Sequence, residues 1–251
     1  MLDNKIVSIK KLSKSYGQLK VLDNLTFDVK EKEIIAIIGS SGCGKTTLLK
    51  IIAGLIEDYD GDVKINNKSP KEAIKQNSIG IMFQNPVLLP WKNSLDNVRL
   101  PLDIEGKKDK GRSDKFLSLM KLAKFKKYLP SELSGGMRQR ISLARTLVYE
   151  PSILLMDEPF GSLDEKTREA LNLDLLRIIS NKKIKINTII FVTHSISEAV
   201  FLSDRIIVLS NKPAKIKEVV NIDLPKQRDI VIKKSDKYFE YIKCIRKLLE
   251  D

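Results

Sequence analysis

An α/β fold built on a parallel sheet is predicted by three features of this 251-residue sequence. The runs Glu33-Ile34-Ile35-Ala36-Ile37-Ile38, Ser152-Ile153-Leu154-Leu155-Met156 and Thr188-Ile189-Ile190-Phe191-Val192 are short and almost wholly apolar, as strands covered on both faces must be. Each leads through polar residues into a stretch of helical periodicity, the alternation that crossover helices produce. The first junction reads Gly39-Ser40-Ser41-Gly42-Cys43-Gly44-Lys45-Thr46, the G-x-x-x-x-G-K-T spacing of a phosphate-binding loop.

The other elements follow in order. Residues 6–30 alternate apolar and polar, which predicts antiparallel strands with a turn near Gly17. After the loop, residues 47–55 space their apolar side chains as a helix, with Gly54 near its end. Asp60-Gly61-Asp62 reads as a turn, Val63-Lys64-Ile65 as a strand and Asn66-Asn67 as another turn. Residues 78–84 read as a buried strand, and Ile206-Ile207-Val208-Leu209 as one more. From 86 to 145 the pattern turns helical, interrupted by loops, as in a helical insertion. Residues 236–249 form an amphipathic helix, expected to pack on the domain. The expected organisation is one domain: an α/β core with a β subdomain from 1–85 and 146–224, a helical subdomain at 86–145, and a helical tail at 225–251.

Composition excludes several classes. The longest charge-free run, 76–91, is broken by Gln, Asn and Pro and is too short for a membrane span. No apolar leader is visible at the N-terminus. Cys43 and Cys244 are far apart and fit no metal pattern, so free thiols in a reducing compartment are expected. The net charge of +13 is spread along the chain. Its densest cluster, residues 107–115, mixes Lys107, Lys108, Lys110 and Arg112 with Asp109, Gly111 and Asp114, as a solvated turn does. No nucleic-acid partner is expected, and the charge also suits a protein lying beneath anionic lipid.

The motifs carry a chemistry. Glycines let the loop backbone close on phosphate oxygens, and the helix N-terminus behind it favours negative charge. Lys45 would reach the β- and γ-phosphates of ATP, and the Thr46 hydroxyl would hold Mg²⁺. Asp157 and Glu158 end the second apolar run. Asp157 is placed for the Mg²⁺ shell, and Glu158 to polarise a water for in-line attack. His194, the only histidine, follows the third run, where open α/β sheets bind ligands, and would contact the γ-phosphate. A second anion-binding device is Ser134-Gly135-Gly136, a turn opening a helix. One nucleotide hardly satisfies both devices. Two chains packed head to tail, each completing the other's ATP site, would satisfy them.

In their order, these motifs resemble the ATP-binding subunit of ABC transporters over nearly the whole chain. The resemblance implies a phosphate-loop NTPase core of ABC ATPase type, with an antiparallel β subdomain and a helical insertion. It implies that Tyr16 stacks on adenine and that the phosphate loop comprises Gly39, Ser40, Ser41, Gly42, Cys43, Gly44, Lys45, Thr46 and Thr47. It makes Gln84 the glutamine joining the metal site to the helical subdomain, Ser134, Gly135 and Gly136 the signature reaching the partner's γ-phosphate, Asp164 part of the loop linking the two sites, and His194 the switch histidine. The implied partners are a second copy, a transmembrane permease and, indirectly, an extracytoplasmic substrate-binding protein. The implied location is the cytoplasmic face of the cell membrane, peripherally bound.

Met137 departs from the commoner glutamine of the signature, while its phosphate-facing Ser and Gly remain. The same variant, with residues 83–91, Asn97-Val98 and Leu224-Pro225-Lys226-Gln227-Arg228, resembles the importer branch for nitrate, sulfonate and taurine-like solutes. Trp91 reads either as a core aromatic or as a permease-facing residue. Cys43, inside the loop, predicts that bulky thiol reagents block activity and that ATP protects. The competing reading is a soluble ABC-type ATPase acting on nucleic acid or ribosomes, which the basic charge would suit. An export ATPase with a separately encoded membrane half is a weaker competitor.

Overall fold

The strands divide between two sheets in the computed structural model, which describes residues 5–250 except 182, 183, 185 and 187. β1 (Lys5–Tyr16) and β2 (Leu19–Lys30) form a long antiparallel hairpin, turned at Gly17 with φ +57°. β3 (Ile34–Ile38) then starts the second sheet and delivers the phosphate loop to α1 (Lys45–Ile52). The chain returns to the hairpin as β4 (Asp60–Ile65), passes through α2 (Pro70–Lys75), and re-enters the large sheet as β5 (Ile79–Met82). α3 (Ser94–Ile104), α4 (Arg112–Leu119) and α5 (Gly135–Leu147) follow without an intervening strand. Strands and helices then alternate: β6 (Ile153–Asp157), α6 (Glu165–Ile179), β7 (Thr188–Thr193), α7 (Ile196–Leu202) and β8 (Arg205–Leu209). β9 (Ile216–Asn221) and α8 (Asp236–Glu250) complete the chain.

The large sheet has the order β5-β6-β7-β3-β8-β9. All neighbours are parallel except β8 and β9. β3 therefore lies between strands that arrive much later in the chain, and the chain leaves it on one side and returns on the other. The C-terminal end of such a central strand is the crevice where open α/β sheets bind ligands.

The apolar runs have a simple cause. Alternate side chains of each parallel strand enter two different cores. Ala36, Ile38, Leu154, Met156, Ile189 and Phe191 join the helices α3 to α8. Ile35, Ile37, Ile153, Leu155, Ile190 and Val192 join α1 and the three-stranded sheet. With both faces covered, no polar alternation survives in the sequence.

Several expectations need correction. Asp60-Gly61-Asp62 is the start of β4 and not a turn. A Cβ on Gly61 would lie 2.5 Å from the Lys11 carbonyl oxygen, so the glycine there permits a close strand approach at a bulge in β1. The helix after the loop spans Lys45–Ile52 rather than 47–55, stopping where Gly54 adopts φ +65°. The basic cluster is only partly a turn, because α4 begins at Arg112 and includes Lys115. The strand expected over 78–84 is confined to Ile79–Met82, which leaves Gln84 in a loop. β9 lacks a clear sequence signal, since its residues are mostly exposed.

The tail packs on the domain. Tyr238 and Ile245 of α8 are buried in the helical core. The Tyr238 hydroxyl donates to the Ser197 carbonyl, 3.0 Å away, at the first turn of α7. Ahead of it, Arg228 donates to the Phe201 and Ser203 carbonyls, each at 2.9 Å, and to that of Pro225 at 2.9 Å. A cation there satisfies carbonyls that α7 leaves unbonded and opposes its dipole. The Leu224–Arg228 motif is thus a tether for α7.

Candidate functional site

The phosphate loop is shaped by its packing. Gly44 has φ +123°, and a Cβ there would meet Leu22 at 2.8 Å and Val21 at 2.9 Å, so only glycine lets the loop rest on β2. No side chain caps α1, which leaves its first N–H groups facing the loop. Lys45 is buried, and its ammonium donates to the carbonyls of Gly39 at 2.9 Å and Ser40 at 2.8 Å. Cys43 is turned inward, 1% exposed, and belongs to the core between α1 and the three-stranded sheet. This overturns the expectation of ready thiol modification: Cys244 is the exposed thiol.

Next to the loop, Thr46 Oγ1 donates to Asp157 Oδ1 at 3.0 Å. Burial at the end of β6 pushes the Asp157 carboxyl above its ordinary value; the Thr46 hydrogen bond opposes this, and the Glu158 charge adds to it. Glu158 has φ +44°, a left-handed conformation costing a non-glycine residue about 1–2 kcal/mol. Its N–H is held by the Val192 carbonyl at 3.0 Å, so β7 fixes the strained residue in place.

Glu158 Oε2 is the meeting point of three segments. His194 Nδ1 lies 3.0 Å from it and Gln84 Nε2 donates to it at 3.3 Å. A carboxylate beside Nδ1 selects the tautomer protonated there. Gln84 comes from the loop after β5, Glu158 from the end of β6, and His194 from the end of β7. The Gln84 backbone carbonyl accepts from Gln139 of α5 at 2.8 Å, which joins the cluster to the helical segment.

Tyr16, Ser41, Gly42, Gly44, Lys45, Thr46, Thr47 and Glu158 line one open cavity of about 370 Å³. Leu19, Val21 and Lys212 complete its walls. Sequence reading did not single out these three; Lys212 reaches the site only through the β8–β9 turn. A larger cavity of about 820 Å³ opens where the strands begin, beside Ile34, Ser152, Ile189 and Asp204. It is remote from the carboxylate cluster, and Arg228, one of its walls, is committed to backbone carbonyls.

The signature residues form a separate surface. Ser134 caps α5 by accepting from the Met137 N–H at 3.3 Å, and Asp164 caps α6 by accepting from Thr167 at 3.0 Å. The two helix starts touch: a Cβ on Gly136 would lie 2.7 Å from Thr167 Cγ2, and one on Gly135 would lie 3.6 Å from Leu163. Ser134, Gly135, Gly136 and Asp164 do not line the cavity that contains the phosphate loop. Met137 packs against the helical core, a hydrophobic role a glutamine would fill poorly. Trp91 is 73% exposed, which excludes the core-aromatic alternative. It is presented by a knot: buried Asn97 accepts from Leu89 N–H at 2.8 Å and donates to the Lys92 carbonyl at 2.8 Å.

Residues 22–161 match the ABC transporter family. The chain is similar to an uncharacterised ABC transporter ATP-binding protein of Methanocaldococcus jannaschii, 42% identical, with 98% of this chain and 91% of that protein covered. It is also 40% identical to the aliphatic sulfonates import ATP-binding protein SsuB of Bacillus cereus, covering 96% of this chain and 93% of the relative. A solved dimeric ATP-binding cassette in a post-hydrolysis state with ADP and Pi superimposes with a TM-score of 0.75 at 32% identity, covering 87% of this chain and all of that one. On this fold and this arrangement of motifs, the chain belongs to the ABC transporter family as an ATPase subunit.

Proposed function

We propose that the chain energises uptake of a small anionic solute, of sulfonate or nitrate type, through a separate membrane permease. The observation that carries the hydrolytic part is the convergence of Gln84 and His194 on Glu158 Oε2, beside the phosphate loop. As the oxygen of an attacking water bonds to the γ-phosphorus, Glu158 accepts its proton and the β–γ bridging bond breaks, giving ADP and phosphate. Lys45 and His194 balance charge developing on the γ-phosphoryl oxygens. Mg²⁺ fits the donors present. Thr46 Oγ1 and Asp157 Oδ1 are adjacent hard oxygens, and a cation would relieve the penalty that burial places on the Asp157 charge. Thr46, Asp157 and the Gln84 amide oxygen would hold the ion, which would neutralise phosphate charge when bound.

Two copies would work head to tail. Ser134, Gly135 and Gly136 stand outside the chain's own cavity, as expected of groups that complete a partner's site. Permease docking is supported by the exposed apolar side chains Val87, Trp91 and Ile104. Ile104 lines a groove of about 410 Å³ with Leu100, Pro101, Arg145 and Tyr149, between the helical segment and β5, and Arg145 donates to the Val87 carbonyl. Import rather than export rests on the similarity to SsuB. No helix among the described residues is long and apolar enough to cross a membrane, so binding at the cytoplasmic face would be peripheral, through that surface.

The test uses a tagged Glu158→Gln protein, loaded with ATP and recovered from detergent-solubilised membranes of its own cell. Co-purification of a multi-span permease, with a solute-binding protein whose ligand can be screened, is the expected result. Recovery with ribosomes or nucleic acid and no membrane protein would establish the competing reading instead.

A further inference from the structure

The turn between β8 and β9, residues 210–215, is built onto the phosphate loop. Ser40 Oγ donates to Asn211 Oδ1 at 2.6 Å. Two residues beyond Lys212, the Ala214 N–H donates to the Val21 carbonyl at 2.8 Å, and its carbonyl accepts from Asp23 at 2.9 Å. Lys215 N–H donates to Ser210 Oγ at 2.9 Å, closing the turn on itself. Lys212 is thus suspended between one anchor on the phosphate loop and another on β2. Lys212 is one of the residues lining the cavity to which Lys45, Thr46 and Tyr16 also belong.

Its charge is unspent. Neighbouring lysines pair: Lys215 Nζ and Lys20 Nζ lie 3.2 and 2.5 Å from the carboxylate of Asp23. Among the described residues, Lys212 forms no ion pair with a carboxylate. Among the described residues, Glu158 is the one carboxylate in the cavity lining, and it is already committed to Gln84 and His194. A cation held by a braced turn at the wall of an anion-binding cavity, with no internal counter-ion, is available to an anionic ligand.

We propose that Lys212 is an additional polyphosphate-binding residue of the nucleotide site, delivered by the β8–β9 turn and held in register by Asn211. This inference rests on the reading of the cavity as the ATP site. Lys212 adds a second ammonium beside Lys45, from a segment more than 160 residues away in the chain. The base and ribose play no part in its contact, so its effect extends to any polyphosphate.

Calorimetric titration of the full chain with MgATP and with magnesium tripolyphosphate tests this. Lys212→Ala is expected to weaken both ligands by about three- to tenfold, and Lys212→Glu by more, while Lys212→Arg stays near the parent. The loss shrinks as ionic strength rises from about 0.05 to 0.5 M, as an electrostatic contact requires. Melting temperatures of the variants stay within about 1 °C of the parent, since an exposed, unpaired side chain contributes little to folding. Unchanged affinities in both Ala and Glu variants would overturn the inference, as would a loss seen with ATP but absent with tripolyphosphate. Lys45→Ala separates the two levels of the argument. Full binding by that variant would remove the ATP-site reading itself, whereas its loss alongside silent Lys212 variants would remove only the role of Lys212.

Discussion

Glu158→Gln isolates the proton acceptor from the geometry around it. Both neighbours, His194 Nδ1 and Gln84 Nε2, meet the same oxygen, at 3.0 and 3.3 Å. A glutamine carbonyl oxygen in that position accepts from both, so the cluster keeps its shape. Backbone strain at φ +44° is unaltered. What disappears is a group able to take the water's proton. General-base contributions of about 10²–10⁴ correspond to about 2.7–5.4 kcal/mol of barrier. Binding should not suffer, because Lys45, Thr46 and the loop are untouched. Removing the Glu158 charge also relieves Asp157, whose pKa it helps to raise. Phosphate release at saturating ATP should therefore fall by that factor while the equilibrium affinity for ATP is kept or improved. Size-exclusion chromatography should show an ATP-dependent dimer accumulating. Turnover within about fivefold of the parent enzyme would refute Glu158 as the base.

Three further predictions follow from the packing. Asp174 is buried against Lys121 at 2.8 Å, Arg140, and Arg177 at 3.4 Å. Burial alone would raise its pKa, but the hydrogen bonds and charges of Lys121 and Arg140 together outweigh burial and hold the carboxyl below its ordinary value. Such a depressed folded-state pKa adds stability that is present above 3.8 and lost as pH falls through the folded value. Asp174→Asn should cost about 3 kcal/mol in urea unfolding at pH 7 and clearly less near pH 3; equal losses at both would contradict this. Gly136→Ala forces a methyl to 2.7 Å from Thr167 Cγ2, so turnover should drop about tenfold or more. Thr167→Ser in the same chain removes that methyl and should recover part of the loss; no recovery would show that the clash is not the cause. Ellman's reagent should label Cys244 quickly and leave ATPase activity intact, with Cys43 reacting only on unfolding. Inhibition of a Cys244→Ser protein by the reagent would show that the loop opens far enough to expose Cys43.

What sequence alone determined is what short segments impose locally. The spacing of Gly39, Gly42, Gly44 and Lys45 specifies a loop conformation open to few other residues, and apolar runs such as 153–156 specify strands with two covered faces. Ser134 and Asp164 mark the helix starts they cap. Asp60-Gly61-Asp62 misled because a glycine that permits a turn equally permits one strand to press on another, and only the partner strand distinguishes the two. Tertiary structure decided which of these segments meet. Gln84 and His194 lie 74 and 36 residues from Glu158, yet share one of its oxygens because β5, β6 and β7 are neighbours in the sheet. Lys212 enters the cavity beside the phosphate loop because β8 lies beside β3, and Cys43 leaves it because the loop turns that thiol into the core. Nothing local to Asp174 or Arg228 shows their burial; the fold places the first among opposite charges and the second against free carbonyls. Sheet order is a collective result of burying two apolar cores at once, and no single segment of the chain records it.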